Sequence, residues 1–416
     1  MKVNLKSALN DSHIDANQSN SQRQVAISLS AVSESSDRSL PLNLGLILDH
    51  SGSMSGKPMK TVKEAASYLV EGLGPDDRLS VVAFDHRAKV IVPNQPVDEI
   101  DGVKDAIASL KAEGGTSIDE GMKLGIKQVA LGKEDRVSQI FLLTDGENEH
   151  GDNERCLKLA QVAGEYNITL NTLGFGNHWN QDVLESIADS VGGTLCYIEQ
   201  PEQALTEFSR LFTRMQSVGL TNAYLCLELT TEVRLAEFKP VAQVEPETVE
   251  LNAQQEGNTY IVRLGDLMTD NARVILVNLY LSQLSPVNHT IGTVQVRYDD
   301  PALSQTALLS EKIPLTVEVQ GVYEAKVDSN VQKSILTLAK YRQTQLAEAK
   351  LNKGDRQGAA TLLQTAAKTA LQLGDKSAAT VLQTNATQLQ AGEELSEAQR
   401  KKTRIVSKTV LQSDQE

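Results

Sequence analysis

Leu44-Gly45-Leu46-Ile47-Leu48-Asp49-His50-Ser51-Gly52-Ser53-Met54-Ser55 is an apolar run that ends abruptly in a carboxylate and two hydroxyls and then meets a helical pattern. That order predicts a buried strand delivering oxygen ligands to a sheet edge. The spacing is Asp-x-Ser-x-Ser. Extended residues alternate sides, but a turn that curls back points positions one, three and five inward together, so three oxygens converge on one hard cation.

Two later stretches follow the same logic. Glu113-Gly114-Gly115-Thr116-Ser117 sets a hydroxyl in a glycine-hinged loop before a helix, and 139–146 ends a second apolar strand in Thr144-Asp145-Gly146. Taken together, Asp49-x-Ser51-x-Ser53, Thr116 and Thr144-Asp145-Gly146 resemble the metal-ion-dependent adhesion site (MIDAS) of von Willebrand factor type A (VWA) domains, over roughly residues 41–216. The resemblance implies a bound Mg2+, with Mn2+ or Ca2+ as alternatives. Ser51, Ser53 and Thr116 would ligate it directly or through water, and Asp49 and Asp145 would anchor it. Read one at a time, the same residues are helix caps and turn formers. Their coincidence with strand ends favours coordination.

The surrounding pattern predicts strands at 42–48, 79–84, 137–143, 168–173 and 194–198, with 88–92 hairpinning back beside 79–84. Helices are expected at 58–73, 100–110, 118–131, 181–191 and 203–215. This order means a doubly wound, Rossmann-like α/β sheet, whose ligands sit beyond the carboxyl ends of the strands. Asp49 and Asp145 end two different strands, so the expected fold itself brings them together.

Short strands without helices follow from 218 to 320 and read as a β-sandwich. Two alternating stretches, 3–9 and 24–30, are marginal by themselves and are expected to complete it. The VWA domain is then inserted in the sandwich, as in proteins resembling inter-alpha-trypsin inhibitor heavy chains and bacterial relatives of calcium-activated chloride channel regulators. The resulting division is 1–40 N-terminal strands, 41–216 VWA domain, 217–322 sandwich, 323–395 a C-terminal α-helical segment and 396–416 a tail. Gly354-Asp355 and Gly374-Asp375 each end one helix and cap the next. A tetratricopeptide-like hairpin and three packed helices both remain open. The basic run Arg400-Lys401-Lys402-Thr403-Arg404 reads as solvated tail.

A net charge of −14 over 416 residues argues against nucleic-acid binding and disfavours an anionic membrane surface. The first nine residues lack the apolar core of a secretory signal, and no run approaches about 18 apolar residues, so no stable membrane insertion and a cytoplasmic location are expected. Cys156, Cys196 and Cys226 are odd in number and widely spaced, as buried inert thiols would be. Gly52 to Pro58 fails as a phosphate-binding loop because it is one residue short and Pro58 replaces the hydroxyl residue. No Gly-x-Ser-x-Gly elbow, dinucleotide fingerprint or hydrolytic triad can be assembled, so a non-enzyme is expected.

His50, His86, His150 and His178 follow expected strand ends and should ring the metal face, as a rim that responds to pH or tolerates a softer metal, or simply as polar loop residues. Trp179 is expected on the same rim, either as an exposed interface anchor or packed over the following helix. The functional expectation is a divalent-cation-dependent protein-protein interaction module in which the ion captures an acidic residue of a protein partner. The alternative is a non-catalytic regulatory subunit of a chelatase-like or AAA-type ATPase complex.

Overall fold

The computed structural model describes residues 1–32 and 40–409; positions 33–39 and 410–416, which the sequence reading assigned to the N-terminal strands and the tail, lie outside them. Alternation of apolar and polar residues produces β1 (Lys2–Leu9) and β3 (Asn20–Val32), paired antiparallel. A short β2 (His13–Asp15) occupies the polar connection. The chain then leaves these strands for a separate α/β unit.

That unit runs β4 (Leu42–Asp49), α1 (Lys57–Glu71), β5 (Arg78–Phe84), β6 (Ala88–Pro96), α2 (Ile100–Ala108), α3 (Ile118–Leu131), β7 (Val137–Thr144), α4 (Asn153–Glu165), β8 (Thr169–Phe175), α5 (Gln181–Ser190), β9 (Leu195–Ile198) and α6 (Ala204–Gln216). Its strand order is β6-β5-β4-β7-β8-β9, parallel throughout except for β6, which hairpins against β5. Every residue of β4 and β7 is buried, as central parallel strands with helices on both faces must be. Leu44, Leu46 and Leu48 pack into one core with Val62 and Leu69 of α1; Ile47 packs into the other with Met122 and Ile126 of α3. Gly125 lets α3 lie close, since a Cβ there would stand 2.3 Å from the Ile47 side chain.

Helix α4 is an element that periodicity did not reveal. Parallel β7 and β8 require a crossover, yet the buried face of α4 is Cys156, Ala160 and Ala163, small residues that leave little apolar signal. Its start is set by Asp152, whose carboxylate accepts from Glu154 N at 2.8 Å and Arg155 N at 3.2 Å.

Ten strands follow: β10 (Val218–Leu229), β11 (Val233–Leu235), β12 (Val241–Glu245), β13 (Val249–Leu251), β14 (Ala253–Glu256), β15 (Thr259–Met268), β16 (Arg273–Ser282), β17 (Asn288–Asp300), β18 (Gln305–Leu309) and β19 (Ile313–Gln320). They form two sheets, β1-β3-β16-β12-β13 with β11 on β16, and β14-β15-β10-β17-β19-β2 with β18 on β17. The N-terminal strands thus contribute to both. β3 pairs antiparallel with β16 from Leu29↔Arg273 to Asn20↔Ser282, and β2 pairs parallel with β19. Ile27, Leu29, Leu225, Leu227 and Val277 share the core between the sheets, so the α/β unit is an insertion between β3 and β10.

Four helices end the described chain: α7 (Ser329–Asn352), α8 (Arg356–Gln372), α9 (Lys376–Gln390) and α10 (Glu397–Lys408). Gly354 and Gly374, each at φ +78°, turn the chain at the two expected breaks, and Asp355 and Asp375 cap the next helices by accepting from Gly358 N and Ala378 N, both at 2.9 Å. Helix α7 packs on the sandwich through Val331, Leu338 and Tyr341 against Val244 and Leu276. The fourth helix corrects the sequence reading. The basic run 400–404 is no solvated tail but the middle of α10, which starts with a Ser396–Gln399 capping box and buries Lys401 and Lys408. The reason is charge complementarity: Arg404 pairs with Asp182 and Glu185 of α5, and Lys408 pairs with Glu185 at 2.9 Å and Asp189 at 2.8 Å.

Candidate metal centre

Asp49 ends β4 and Thr144 ends β7, and the register that sets Leu48 opposite Leu143 brings the two side chains together. Thr144 Oγ1 donates to Asp49 Oδ2 at 2.5 Å and Ser51 N donates to Oδ1 at 2.8 Å, so both carboxylate oxygens are fixed. Beyond Asp49 the chain curls into a 3-10 turn, Gly52–Met54, anchored by the fully buried Met54 side chain. The curl sets Ser51 Oγ 3.0 Å from Ser53 Oγ, and Ser53 Oγ donates to Asp145 Oδ1 at 2.7 Å. Gly52 N donates to Gly114 O at 3.0 Å, which ties the curl to the loop carrying Thr116. A Cβ on Gly146 would stand 3.1 Å from Thr116 Oγ1, so this hydroxyl lies against the Asp145-Gly146 turn. All five singled-out side chains come to one end of the sheet.

The electrostatics of the cluster are those of an acidic pit. Asp49 is wholly buried, while Asp145 is half-buried and Ser53 is exposed at the mouth. Burial pushes the Asp49 carboxyl up to about 6; the bonds from Thr144 and Ser51 hold it down and the Asp145 charge pushes it further up. Burial also raises Asp145, opposed by its Ser53 bond and by nearby His178. Among the described residues neither carboxylate forms an ion pair with a Lys or Arg, and no Lys or Arg is among the leading causes of either shift. Two carboxylates and three hydroxyls, held together without an ion pair to Lys or Arg, are a donor set suited to a hard divalent cation.

Residues that sequence reasoning passed over hold the cluster in place. Thr144, quoted within Thr144-Asp145-Gly146 but given no role of its own there, fixes Asp49 through its hydroxyl. Asn148, almost fully buried, accepts from Ile118 N at 2.7 Å and donates to Asn153 Oδ1 at 3.1 Å, pinning the start of α3 just after Thr116. Nothing in its spacing announced that role.

The four histidines do lie at this end of the sheet, but three of them pack around the Thr116 loop. His50 Nδ1 lies 2.9 Å from Lys111 O; Cβ atoms at Gly114 and Gly115 would meet the rings of His86 and His150 at 2.8 and 2.5 Å. Among the described residues no group of three or more His, Cys, Asp or Glu is placed to hold a metal, so the rim does not gather a nitrogen or sulfur donor set. Trp179 is not an exposed anchor. It is 2 % exposed, donates Nε1 to Gly176 O at 2.8 Å, lies over Gly174 and tilts against Tyr197 at 5.7 Å. Cys156 and Cys196 are buried thiols, each pushed up to about 12 by burial.

Residues 43–210 match the von Willebrand factor type A domain family, and residues 329–413 match the family described as Sll0103-like, C-terminal alpha-helical domain. The protein sll0103 of Synechocystis sp. is 63% identical over 412 residues, covering 99% of this chain and 98% of that relative. Human inter-alpha-trypsin inhibitor heavy chain H4 is 27% identical over 195 residues, which are 44% of this chain and 21% of that protein. Among solved structures, von Willebrand factor type A from Catenulispora acidiphila superposes with a TM-score of 0.83 at 18% identity, covering 98% of this chain and 97% of that one, a likeness of fold.

Proposed function

The chain belongs to the Sll0103-like family of von Willebrand factor type A proteins, and from that premise we propose that it is a divalent-cation-dependent interaction module in which the bound ion captures an acidic residue of a protein partner. One observation carries the reading: Asp49, wholly buried, and Asp145, near the surface, share a hydroxyl network in which neither carboxylate is paired with a Lys or Arg. Asp49, Ser51, Ser53, Thr116 and Asp145 would hold the ion, Mg2+ first and Mn2+ or Ca2+ as alternatives. The bound ion supplies an electrostatic attraction for a partner's carboxylate. The hydroxyls are neutral, and one oxygen from each of the five side chains would leave one of the six positions that Mg2+ takes for the partner's carboxylate. Ser53 and Asp145 line the side open to solvent, while Asp49 and Thr144 close the base. The sandwich and the four helices then carry the module as a scaffold. This is a binding chemistry and asks for no nucleophile.

The test is calorimetric titration of the full chain with Mg2+ and Mn2+. Saturable uptake is expected for the wild type and its loss for Asp49→Ala and Asp145→Ala, with circular dichroism unchanged. Absence of uptake by well-folded wild type overturns the reading.

A further inference from the structure

Arg263 on β15 and Arg273 on β16 stand where the sandwich meets the turn after α5, far along the chain from the oxygen cluster. Arg273 is 3 % exposed; Nη1 donates to Gln243 Oε1 and Nη2 to Asp266 O at 3.0 Å, while Nε has no partner. Arg263 Nη2 donates to Gly164 O at 3.2 Å, and its Nε and Nη1 have none. The acids nearby form no ion pair with either arginine. Asp189 accepts Lys408 Nζ on both oxygens at 2.8 and 2.9 Å, Glu247 pairs with Arg214 at 3.5 Å, and Asp266 accepts from Gln139 at 2.9 Å and Thr169 at 3.0 Å. Burial, with repulsion from Arg214 and Arg263 and only partial relief from Asp266 and Glu247, pushes the Arg273 guanidinium down to about 10. Buried cations are ordinarily paired. Among the described residues, no carboxylate stands at ion-pair distance from either of these two.

Both arginines line one cavity of about 20 Å3, together with Asp189, Gly192, Gln243 and Leu264. That space holds one water-sized species. A tetrahedral oxyanion, with four oxygens each about as large as a water, does not fit. A water accepts from two donors at most and must place two hydrogens of its own, whereas an anion accepts from every N–H that faces it and adds to the charge that Asp266 and Glu247 supply only in part.

We propose that this cavity is a structural anion site that takes a single small monovalent anion, chloride, held by the unpartnered N–H groups of Arg263 and Arg273. The anion stands at the seam between domains. Gly192 packs so closely on β15 that a Cβ there would be 2.9 Å from Leu264 O, and Arg263 reaches across to the end of α4. Chloride therefore neutralises the seam and holds the VWA domain on the sandwich. This inference stands apart from the divalent-cation reading.

The test uses the full chain in two measurements. Crystals grown with bromide in place of chloride are expected to show an anomalous peak between Arg263 and Arg273, and the thermal midpoint is expected to rise with chloride or bromide but not with gluconate at equal ionic strength. The halide-dependent rise should vanish in Arg273→Gln, or in Arg263→Gln should the first variant fail to fold. A cavity occupied by water alone, bromide found only elsewhere, or a midpoint indifferent to halide in the wild type each overturns the proposal.

Discussion

Replacing Lys401 by Met should loosen the loop that stands between α10 and the candidate metal centre. Lys401 Nζ donates to Asn177 O at 2.5 Å and Trp179 O at 2.8 Å and lies 4.2 Å from the centre of the Trp179 ring. Each charge-assisted bond is worth about 1.5–3 kcal/mol and a desolvated cation–π contact up to about 2 kcal/mol. Against these stands the burial of the ammonium, which pulls its pKa below the ordinary lysine value while Glu397 and Glu147 oppose the shift. Met keeps the apolar stem. The remaining loss is about 2–3 kcal/mol, or roughly 30- to 150-fold in the equilibrium for opening the loop and freeing α10. Amide hydrogen exchange should quicken by that factor across Gly176, Asn177, Trp179 and the α10 backbone, and emission from Trp179, the single tryptophan, should shift to the red as water reaches it. Because His178 sits in the same loop and near Asp145, Mg2+ uptake should weaken a few-fold. Lys402→Met is the control: Lys402 is half exposed and meets Glu199 only at 3.6 Å. Exchange in the loop changing by less than about threefold in the Lys401 variant, or equally in both, would refute the assignment of the clamp to Lys401.

Other outcomes follow from the same packing. Gly146→Ala brings a methyl to 3.1 Å from Thr116 Oγ1 and should weaken Mg2+ uptake by about 10-fold or more with the fold intact, as calorimetry and circular dichroism would read. Lys340, 1 % exposed, donates to Asp375 at 3.0 Å and to Val406 O and Thr409 O, both at 3.1 Å. Asp375→Ala leaves that buried cation unpaired and removes the cap of α9, so urea denaturation should show a loss of about 3–5 kcal/mol; Asp375→Asn, which still caps, should lose less. For Asp11, burial pushes the carboxyl up, but bonds from Tyr323 and from the His13 and Lys326 amides, with Arg23 nearby, hold its pKa below the ordinary value. A depressed folded pKa means stability that is present above the unfolded value of about 4 and lost as pH falls through the folded one. Exchange at 321–328 should therefore quicken below pH about 4 in the wild type but be insensitive to pH there in Asp11→Asn, once corrected for intrinsic rates.

Much of the fold was legible because its signals are local. Apolar runs such as 42–48 and 137–143 can only be strands buried on both faces, and each ends in the residue that the site uses. Gly354 and Gly374 announced helix ends because an L residue resists the left-handed backbone found there. Helix α4 escaped because alanines and a cysteine bury its face, and α10 escaped because its buried side chains are polar and the partners of Lys401 and Lys408 lie more than 200 residues away. A charge run reads as solvated when the opposite charges are not in view.

By itself the sequence determined the class of fold, the insertion of one unit into another, and the meeting of Asp49, Ser51, Ser53 and Asp145, because strand order, turn chemistry and parallel winding bring them to one sheet edge; the resemblance to VWA domains placed Thr116 with them. Only the tertiary structure decided that Trp179 is a buried plug, that α10 clamps the loop beside the candidate centre, and that Arg263 and Arg273 keep unpartnered N–H groups at one cavity. Those facts depend on which finished surfaces come into contact. Desolvation and pairing across a domain seam are properties of the assembled chain and leave no periodic trace along it.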